Sequence, residues 1–199
     1  MESKNNEIRD SLLKKRVIIV NEDIYRDLCE WINRSIHVLL SLNEKKDIYL
    51  LLDTDGGLAH HTLKVRDLLK AIPVNTIGIV NGRCNSAGLI LFSGCTKKFA
   101  LLNSTFYFHH LRGTFEIKES YKYSENYLKI KNEIASLKKS VHTTLEDGFG
   151  LTKKQIIALC LEGEKFEHHY SVQEMLKLGV IDKIITKLPF YFPEAGNEE

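Results

Sequence analysis

A serine within a run of small residues is the first candidate for chemistry in this sequence. Ser86 lies in the stretch 82–88, GRCNSAG, between the apolar runs 76–80 and 89–92. This order predicts a buried strand, a tight turn and the start of a helix. A turn of that kind exposes the serine hydroxyl and aims the following backbone amides the same way, as a nucleophile requires. The stretch by itself agrees equally well with a serine that only caps the helix.

A serine nucleophile needs a base, and eight histidines could supply one. His109 directly follows a short apolar strand predicted over 106–108, and a histidine at a strand end is a credible general base. The simpler alternative is an ordinary polar residue that ends a strand. Three histidine pairs are adjacent in sequence, at 60–61, 109–110 and 168–169. Successive strand side chains point to opposite faces, so we expect no metal site, and a three-histidine site assembled from the pairs is the weaker alternative.

A double glycine, Gly56-Gly57, ends a second apolar strand predicted over 47–53. Without a Cβ, the backbone amides there can face a ligand. Together with the amide after Ser86 they could hold an oxyanion, although a plain turn is the simpler alternative. The chain has no Gly-Lys-Ser, Gly-Lys-Thr or GxGxxG sequence, so the turn is not a phosphate loop. We therefore expect no cofactor.

The elements that must position these residues alternate between strand and helix. Strands are predicted over 16–20, 47–53, 76–80, around 99, over 106–108 and over 180–185, and helices over 22–42, 58–72 and 86–94. Capping boxes at 152–155 and 171–174 mark two further helix starts. This β-α-β-α-β order predicts an α/β fold with a mainly parallel sheet, in which ligands bind at the carboxyl ends of the strands.

The chain is expected to form a single domain over 1–199, with flexible ends at 1–9 and 194–199. A charged, periodic stretch from about 118 to 149 predicts one long helix that projects from the body and needs a partner for its apolar stripe. That stripe comprises Tyr127, Leu128, Ile130, Ile134, Leu137, Val141 and Leu145.

Charge and composition exclude several function classes. The 28 basic and 26 acidic side chains give a net charge of +2, which predicts neither a nucleic-acid binder nor a membrane-surface protein. The four cysteines match no zinc or redox spacing and have apolar neighbours, as buried thiols in a reducing compartment do. No signal peptide or membrane span is evident, so a cytoplasmic protein is expected.

Read in order, the motifs resemble the Clp protease proteolytic subunit, the ClpP family of serine peptidases. The resemblance runs from about residue 10 to 187 and rests on five stretches in register. These are LLKKRVI at 12–18, KDIYL at 46–50 leading to DTDGG at 53–57, GRCNSAG at 82–88, NSTFYFH at 103–109, and SVQE at 171–174 followed by LGVID at 178–182. The family has Asn-Ser-Pro-Gly-Gly at the second stretch and Gly-x-Ala-Ala-Ser-Met-Gly at the third. The resemblance implies a ClpP/crotonase-like fold of repeated β-α-β units with a long handle helix.

The resemblance also implies the site and its activity. Ser86 would be the nucleophile, His109 the base, and the amides of Gly57 and Ala87 the oxyanion hole of a serine endopeptidase. Counting back four residues from Ser171, the third triad member falls on Glu167, where the family has Asp. A shifted backbone could instead offer Glu164, or no carboxylate at all. The implied partners are copies of this chain in stacked heptameric rings, an ATP-dependent unfoldase, and protein or peptide substrates.

Departures from the family pattern keep a second interpretation open. Asp55, Asn85, Ala87 and Glu167 stand where the family has Pro, Ala, Met and Asp. Asn85, Ala87 and Glu167 motivate a ring-forming subunit without peptidase activity that scaffolds or regulates an active paralogue. A third interpretation is a crotonase-type acyl-CoA enzyme, whose fold is similar, but it gives no reason for Ser86 and His109 to fall in register with a peptidase.

Overall fold

The computed structural model of the chain describes residues 2–111 and 125–191. The strands are β1 Val17–Val20, β2 Ile48–Thr54, β3 Thr76–Asn85, β4 Lys97–Leu101, β5 Thr105–Tyr107, β6 Tyr170–Ser171 and β7 Lys183–Ile185. The helices are α1 Glu2–Lys14, α2 Arg26–Leu42, α3 Ala59–Ala71, α4 Ala87–Ser93, α5 Glu125–Phe149, α6 Lys153–Phe166 and α7 Val172–Lys177. Every predicted strand and helix is present, with bounds that differ by a few residues.

The sheet confirms the predicted α/β fold. Its strands run in the order β1-β2-β3-β4-β7, and each neighbouring pair is parallel. Helices α2, α3 and α4 connect the first four strands and bury apolar residues against the sheet, which is why β2 and the first half of β3 carry nearly continuous apolar sequence. The carboxyl ends of β2 and β3 therefore lie side by side.

Strand β3 is longer than predicted, and it changes neighbours along its length. Residues 77–80 pair with β4, whereas Arg83, Cys84 and Asn85 pair with β5. The predicted turn over 82–88 is wrong in its first half, because backbone pairing with β5 continues the strand to Asn85. The chain turns only at Ser86.

Helix α4 gives that turn a rigid base. All seven of its residues are buried, and Phe92 is in ring contact with Phe106 of β5 and Phe149 of α5. Complete burial of a phenylalanine side chain contributes about 1.5–3 kcal/mol. The start of α4, and with it Ser86, is thereby fixed to the core of the domain.

Helix α5 is the long helix predicted at about 118–149, and residues 118–124 lie outside the described ranges. Its last turns pack on the body, where Leu145 and Phe149 are buried. Over residues 128–136 most side chains are exposed, and Leu128 is 53% exposed. The helix thus projects over its N-terminal half, as expected of a handle.

The N-terminal segment differs from the sequence-based expectation. Residues 2–14 form helix α1, which the sequence did not predict. The Arg9 guanidinium forms an ion pair with Glu22 and lies 4.9 Å from the centre of the Trp31 ring. These tertiary contacts support a helix whose own sequence is polar. The expected flexible end at 194–199 lies outside the described residues.

Across the described ranges no helix is both long enough and apolar enough to cross a membrane.

Candidate active site

Ser86 adopts a backbone conformation that L-residues rarely adopt. Its φ is 52° and its ψ is −116°, an arrangement that costs about 1–3 kcal/mol unless its surroundings enforce it. The Ser86 N–H donates to the Tyr107 carbonyl at 3.0 Å, and the Ser86 carbonyl accepts from the Leu89 N–H at 3.0 Å. The hydroxyl makes no capping bond to α4, so the capping role is absent from this arrangement. A strained strand-to-helix turn that presents a serine is the geometry of a nucleophile elbow.

The double glycine lies against this turn. A Cβ built on Gly56 would lie 2.6 Å from the Ser86 Cβ and 2.9 Å from the Ala87 nitrogen. These distances are too short for any side chain, and φ at Gly56 is +106°, so only glycine permits this approach. The backbones of β2 and β3 are therefore in direct contact at the predicted site.

The amide of Gly57 faces the side of the sheet on which Ser86 lies. The Ile24 N–H donates to the Gly56 carbonyl at 2.6 Å, and the Leu58 N–H donates to the Ile24 carbonyl at 2.8 Å. These two bonds form a parallel β-bridge between Ile24 and Gly57. In a parallel bridge the N–H of the bridged residue points away from its partner, so the Gly57 N–H points away from Ile24, toward β3. Ala87 presents a second N–H there as the first residue of α4, a position with no partner inside its helix.

His109 follows β5 with its ring on the same face as Tyr107. The two ring centroids are 5.6 Å apart. The Nδ1 of His109 lies 2.6 Å from the His110 carbonyl oxygen. A carbonyl oxygen only accepts hydrogen bonds, so Nδ1 carries the proton and the lone pair of the neutral ring is on Nε2. This is the tautomer that a general base at Nε2 requires.

Strand pairing brings Ser86 and His109 to the same place. Asn85 is in register with Tyr107 of β5, a strand about 4.8 Å away, and His109 lies two residues beyond the end of β5. Within residues 2–111 and 125–191 the Ser86 hydroxyl makes no hydrogen bond, including none to His109. Such bonds are commonly long in the absence of substrate.

Glu167 is placed differently from the expectation. It is the C-terminal cap of α6, with φ 49° and ψ 37° in the left-handed region, and it is exposed. Its carboxylate makes no hydrogen bond or ion pair with any described residue. The segment after Glu167 does contact the site. The His169 ring stacks on the Tyr107 ring, with 4.8 Å between the ring centroids. The structure thus places Gly57, Ser86 and Ala87 at one turn, sets His109 two residues past the strand that pairs with that turn, and leaves Glu167 exposed.

Glu164, the alternative carboxylate, lies beside the base. Its Oε1 accepts from the backbone N–H of His110 at 3.0 Å. Its Oε2 is 3.7 Å from the His110 Nδ1. The carboxylate that touches the His109–His110 segment is therefore one turn of α6 earlier than the position counted from Ser171.

Two of the departures from the family pattern contact each other. The Asn85 amide donates to the Asp55 carboxylate at 3.0 Å, across β3 and β2. Arg83 donates to Asp53 at 3.2 Å and to Asp55 at 2.5 Å, so the negative charge beside the turn is paired. Sequence reasoning missed Arg83, although its place two residues before Asn85 puts it on the same face of β3.

No group of three or more metal-ligating side chains that could hold an ion occurs in the part of the chain that the structure describes. All four cysteines are buried and free.

Comparison with known proteins identifies the family. The family model described as Clp protease matches residues 1–188. The chain belongs to the Clp protease family. It is 25% identical over 182 residues to the ATP-dependent Clp protease proteolytic subunit 2 of Bifidobacterium longum (strain NCC 2705), and the match covers 90% of this chain and 83% of that protein. The Clp protease resemblance predicted from the five motifs is confirmed, and the family match favours it over the crotonase-type interpretation.

Proposed function

We propose that this Clp protease family member is a serine endopeptidase with Ser86 as its nucleophile and His109 as its base. The observation that carries the proposal is the strained turn at Ser86, which presents a hydroxyl that does not cap its helix. Backbone strain of this size persists where a function uses it. The family match and the Nε2 lone pair of His109 support the same roles.

The proposed reaction follows acyl transfer to serine. The Ser86 Oγ attacks the peptide carbonyl carbon while its proton moves to His109 Nε2. The N–H groups of Gly57 and Ala87 donate to the oxyanion that forms, which is worth about 3–4 kcal/mol per donor in such sites. The C–N bond then breaks, and His109 returns the proton to the leaving amine. A water molecule, deprotonated by His109, hydrolyses the acyl-enzyme.

The resemblance assigns to Glu167 the role of steadying the imidazolium, which would require its exposed side chain to reach His109. Loss of the orienting carboxylate costs about 10⁴-fold in kcat in a well-studied triad. The position of this carboxylate is therefore the main determinant of how active the site is.

We further propose that the chain forms stacked rings, heptameric by resemblance, with an ATP-dependent unfoldase and protein or peptide substrates as partners. Leu128, in the N-terminal half of α5, is 53% exposed among the described residues, and such an exposed apolar side chain on the proposed handle supports self-association. The printed name of the B. longum relative refers to an ATP-dependent protease. The four free, buried cysteines support a cytoplasmic, reducing location.

A second candidate function is the scaffold or regulator without peptidase activity. Two observations favour it: the Ser86 hydroxyl is not hydrogen-bonded to His109, and Glu167 faces solvent. Both describe a site in which the proposed catalytic side chains are not joined by hydrogen bonds.

Intact-mass labelling with a fluorophosphonate separates the two functions. We expect a single adduct on the wild type and on Ser136→Ala, which removes an exposed serine of α5, and none on Ser86→Ala. His109→Gln should slow labelling by at least about 100-fold, as loss of a general base does. An assembled, folded wild type that takes no adduct would refute the peptidase proposal and favour the scaffold.

A further inference from the structure

We propose that Glu164 is a positioning residue for His109 and acts through the main chain of His110. The inference rests on the proposed peptidase function for its catalytic meaning, and the contacts themselves do not depend on activity. His109 is the residue that touches substrate in this scheme, and Glu164 acts only through its neighbour.

Both backbone polar groups of His110 are engaged, one on each side. Its N–H donates to the Glu164 Oε1 at 3.0 Å. Its carbonyl accepts from the His109 Nδ1 at 2.6 Å. The N–H belongs to the peptide unit before His110 and the carbonyl to the unit after it, so Glu164 and the His109 ring hold the two sides of the same residue. The carboxylate thus steadies the main chain whose carbonyl accepts from His109 Nδ1 and sets the ring orientation.

Helix α6 is held close enough to maintain this contact. A Cβ on Gly163 would lie 2.1 Å from the Phe108 carbonyl oxygen, so only glycine permits α6 to approach the end of β5 this closely. The Tyr170 hydroxyl also donates to the Leu159 carbonyl at 3.0 Å, which ties α6 to β6. Glu164, the next residue after Gly163, is therefore carried on a rigid element.

The charge of Glu164 acts among several titratable groups. His110 itself faces it, with Nδ1 3.7 Å from Oε2. Lys138 and His142 of α5 and Cys160 of α6 line, with His109 and His110, a small cavity of about 40 Å³. On the other side of His109 are Tyr107 and, stacked on Tyr107, His169. A carboxylate beside this segment favours the protonated form of a nearby imidazole.

The contact is tested in the Ser86→Ala background, where no reaction can contribute. Proton-detected NMR of ¹³C-labelled histidine rings follows the titration of His109, which is assigned by His109→Gln. Glu164→Gln keeps an acceptor for the His110 N–H and removes the charge, so the titration midpoint of His109 should fall by about half a pH unit. Glu162→Gln removes the same charge from the same helix at a residue that instead accepts from the Tyr170 hydroxyl, and should leave the midpoint unchanged.

Fluorophosphonate labelling of the Ser86-containing protein supplies the second arm. Glu164→Leu removes the acceptor for the His110 N–H and should slow labelling by about 10-fold or more, as misplacement of a catalytic group does. Glu164→Gln should restore most of that rate at pH 8, because the glutamine keeps an acceptor for the His110 N–H. If Glu164 only stabilised the fold, Glu164→Gln would not combine a restored labelling rate with a shifted pH dependence of that rate.

The outcomes separate the two proposals. An unchanged His109 midpoint in Glu164→Gln, or a shift that appears in Glu167→Gln instead, would overturn the role of Glu164 whether or not the wild type is labelled. A shifted midpoint in a protein that takes no adduct would support the contact and refute the peptidase function. A shifted midpoint together with the Glu164→Leu loss and its rescue supports both.

Discussion

Replacing Gly56 with alanine tests whether the site depends on direct backbone contact between β2 and β3. The new Cβ would lie 2.6 Å from the Ser86 Cβ, 2.8 Å from the Asn85 carbonyl oxygen and 2.9 Å from the Ala87 nitrogen. Two of these three atoms belong to the main chain, so no side-chain rotation relieves the overlap. The Ser86 turn must move.

The loss of stability expected for Gly56→Ala has two parts. An L-residue at the positive φ of Gly56 costs about 1–2 kcal/mol. Forcing a methyl group into a packed site costs about a further 1–3 kcal/mol. The free energy of unfolding should therefore fall by about 2–5 kcal/mol, which for a domain of this size lowers Tm by about 4–20 °C.

Gly150→Ala is the matched control. Gly150 also has a positive φ, +66°, yet a Cβ built on it meets nothing within 4 Å. Gly150→Ala should therefore lower the free energy of unfolding only by the cost of a positive φ, about 1–2 kcal/mol. Thermal unfolding at one protein concentration, followed by circular dichroism, compares the two variants, and fluorophosphonate labelling measures Ser86 in each.

We expect Gly56→Ala to lose labelling by about 100-fold, because a displacement of about 1 Å in a catalytic group has that effect, and Gly150→Ala to keep it. If the two variants melt together and Gly56→Ala is labelled at the wild-type rate, the overlap is relieved elsewhere. The argument that Gly56 permits the approach of the two strands would then be refuted.

Two further predictions concern stability and reactivity. Ser171→Ala should lower the free energy of unfolding by about 1 kcal/mol at pH 7, because Ser171 caps α7. The Ser171 hydroxyl and N–H also lower the pKa of Glu174, so this stabilisation is present above the ordinary glutamate value of about 4.3 and is lost as the pH falls through the lowered pKa. A Tm difference of equal size at pH 7 and pH 3.5 would contradict the assignment. Cys84 and Cys95 should resist iodoacetamide in the folded protein at pH 8 and react after denaturation. The reason is that burial raises the pKa of Cys84 and raises that of Cys95 to about 12. An adduct on either thiol of the folded protein, detected by mass spectrometry, would show that the core opens.

The parts of the fold that the sequence predicted are those set by local pattern. Apolar periodicity located α2 and the continuous apolar run located β2, because each element buries its own residues against the sheet. The small-residue turn located Ser86. These features depend on neighbours within a few positions along the chain.

The parts of the fold that the sequence did not predict depend on contacts between residues distant in the chain. Helix α1 has a polar sequence and is supported by the contacts of Arg9 with Glu22 and Trp31. Strand β3 extends to Asn85 because β5 pairs with it. Neither contact leaves a periodic signal in the segment that it stabilises.

The carboxylates show the limit of counting along a motif. Four residues back from Ser171 is Glu167, but the left-handed backbone at this C-terminal cap turns its side chain to solvent. Glu164 lies on the face of α6 that packs against the end of β5. Which of two nearby glutamates reaches the base is set by how α6 docks, and no spacing in the sequence reports that.

The hydrogen bond from the Ser86 N–H to the Tyr107 carbonyl has a consequence for the newly made chain. During synthesis, Ser86 emerges from the ribosome before β5, and β5 itself pairs with β6 at Tyr170–Ser171, far later in the chain. The unusual backbone of Ser86 is therefore not enforced until nearly the whole domain has been translated. The proposed nucleophile is assembled last, so a nascent or prematurely terminated chain carries a serine without the geometry to use it.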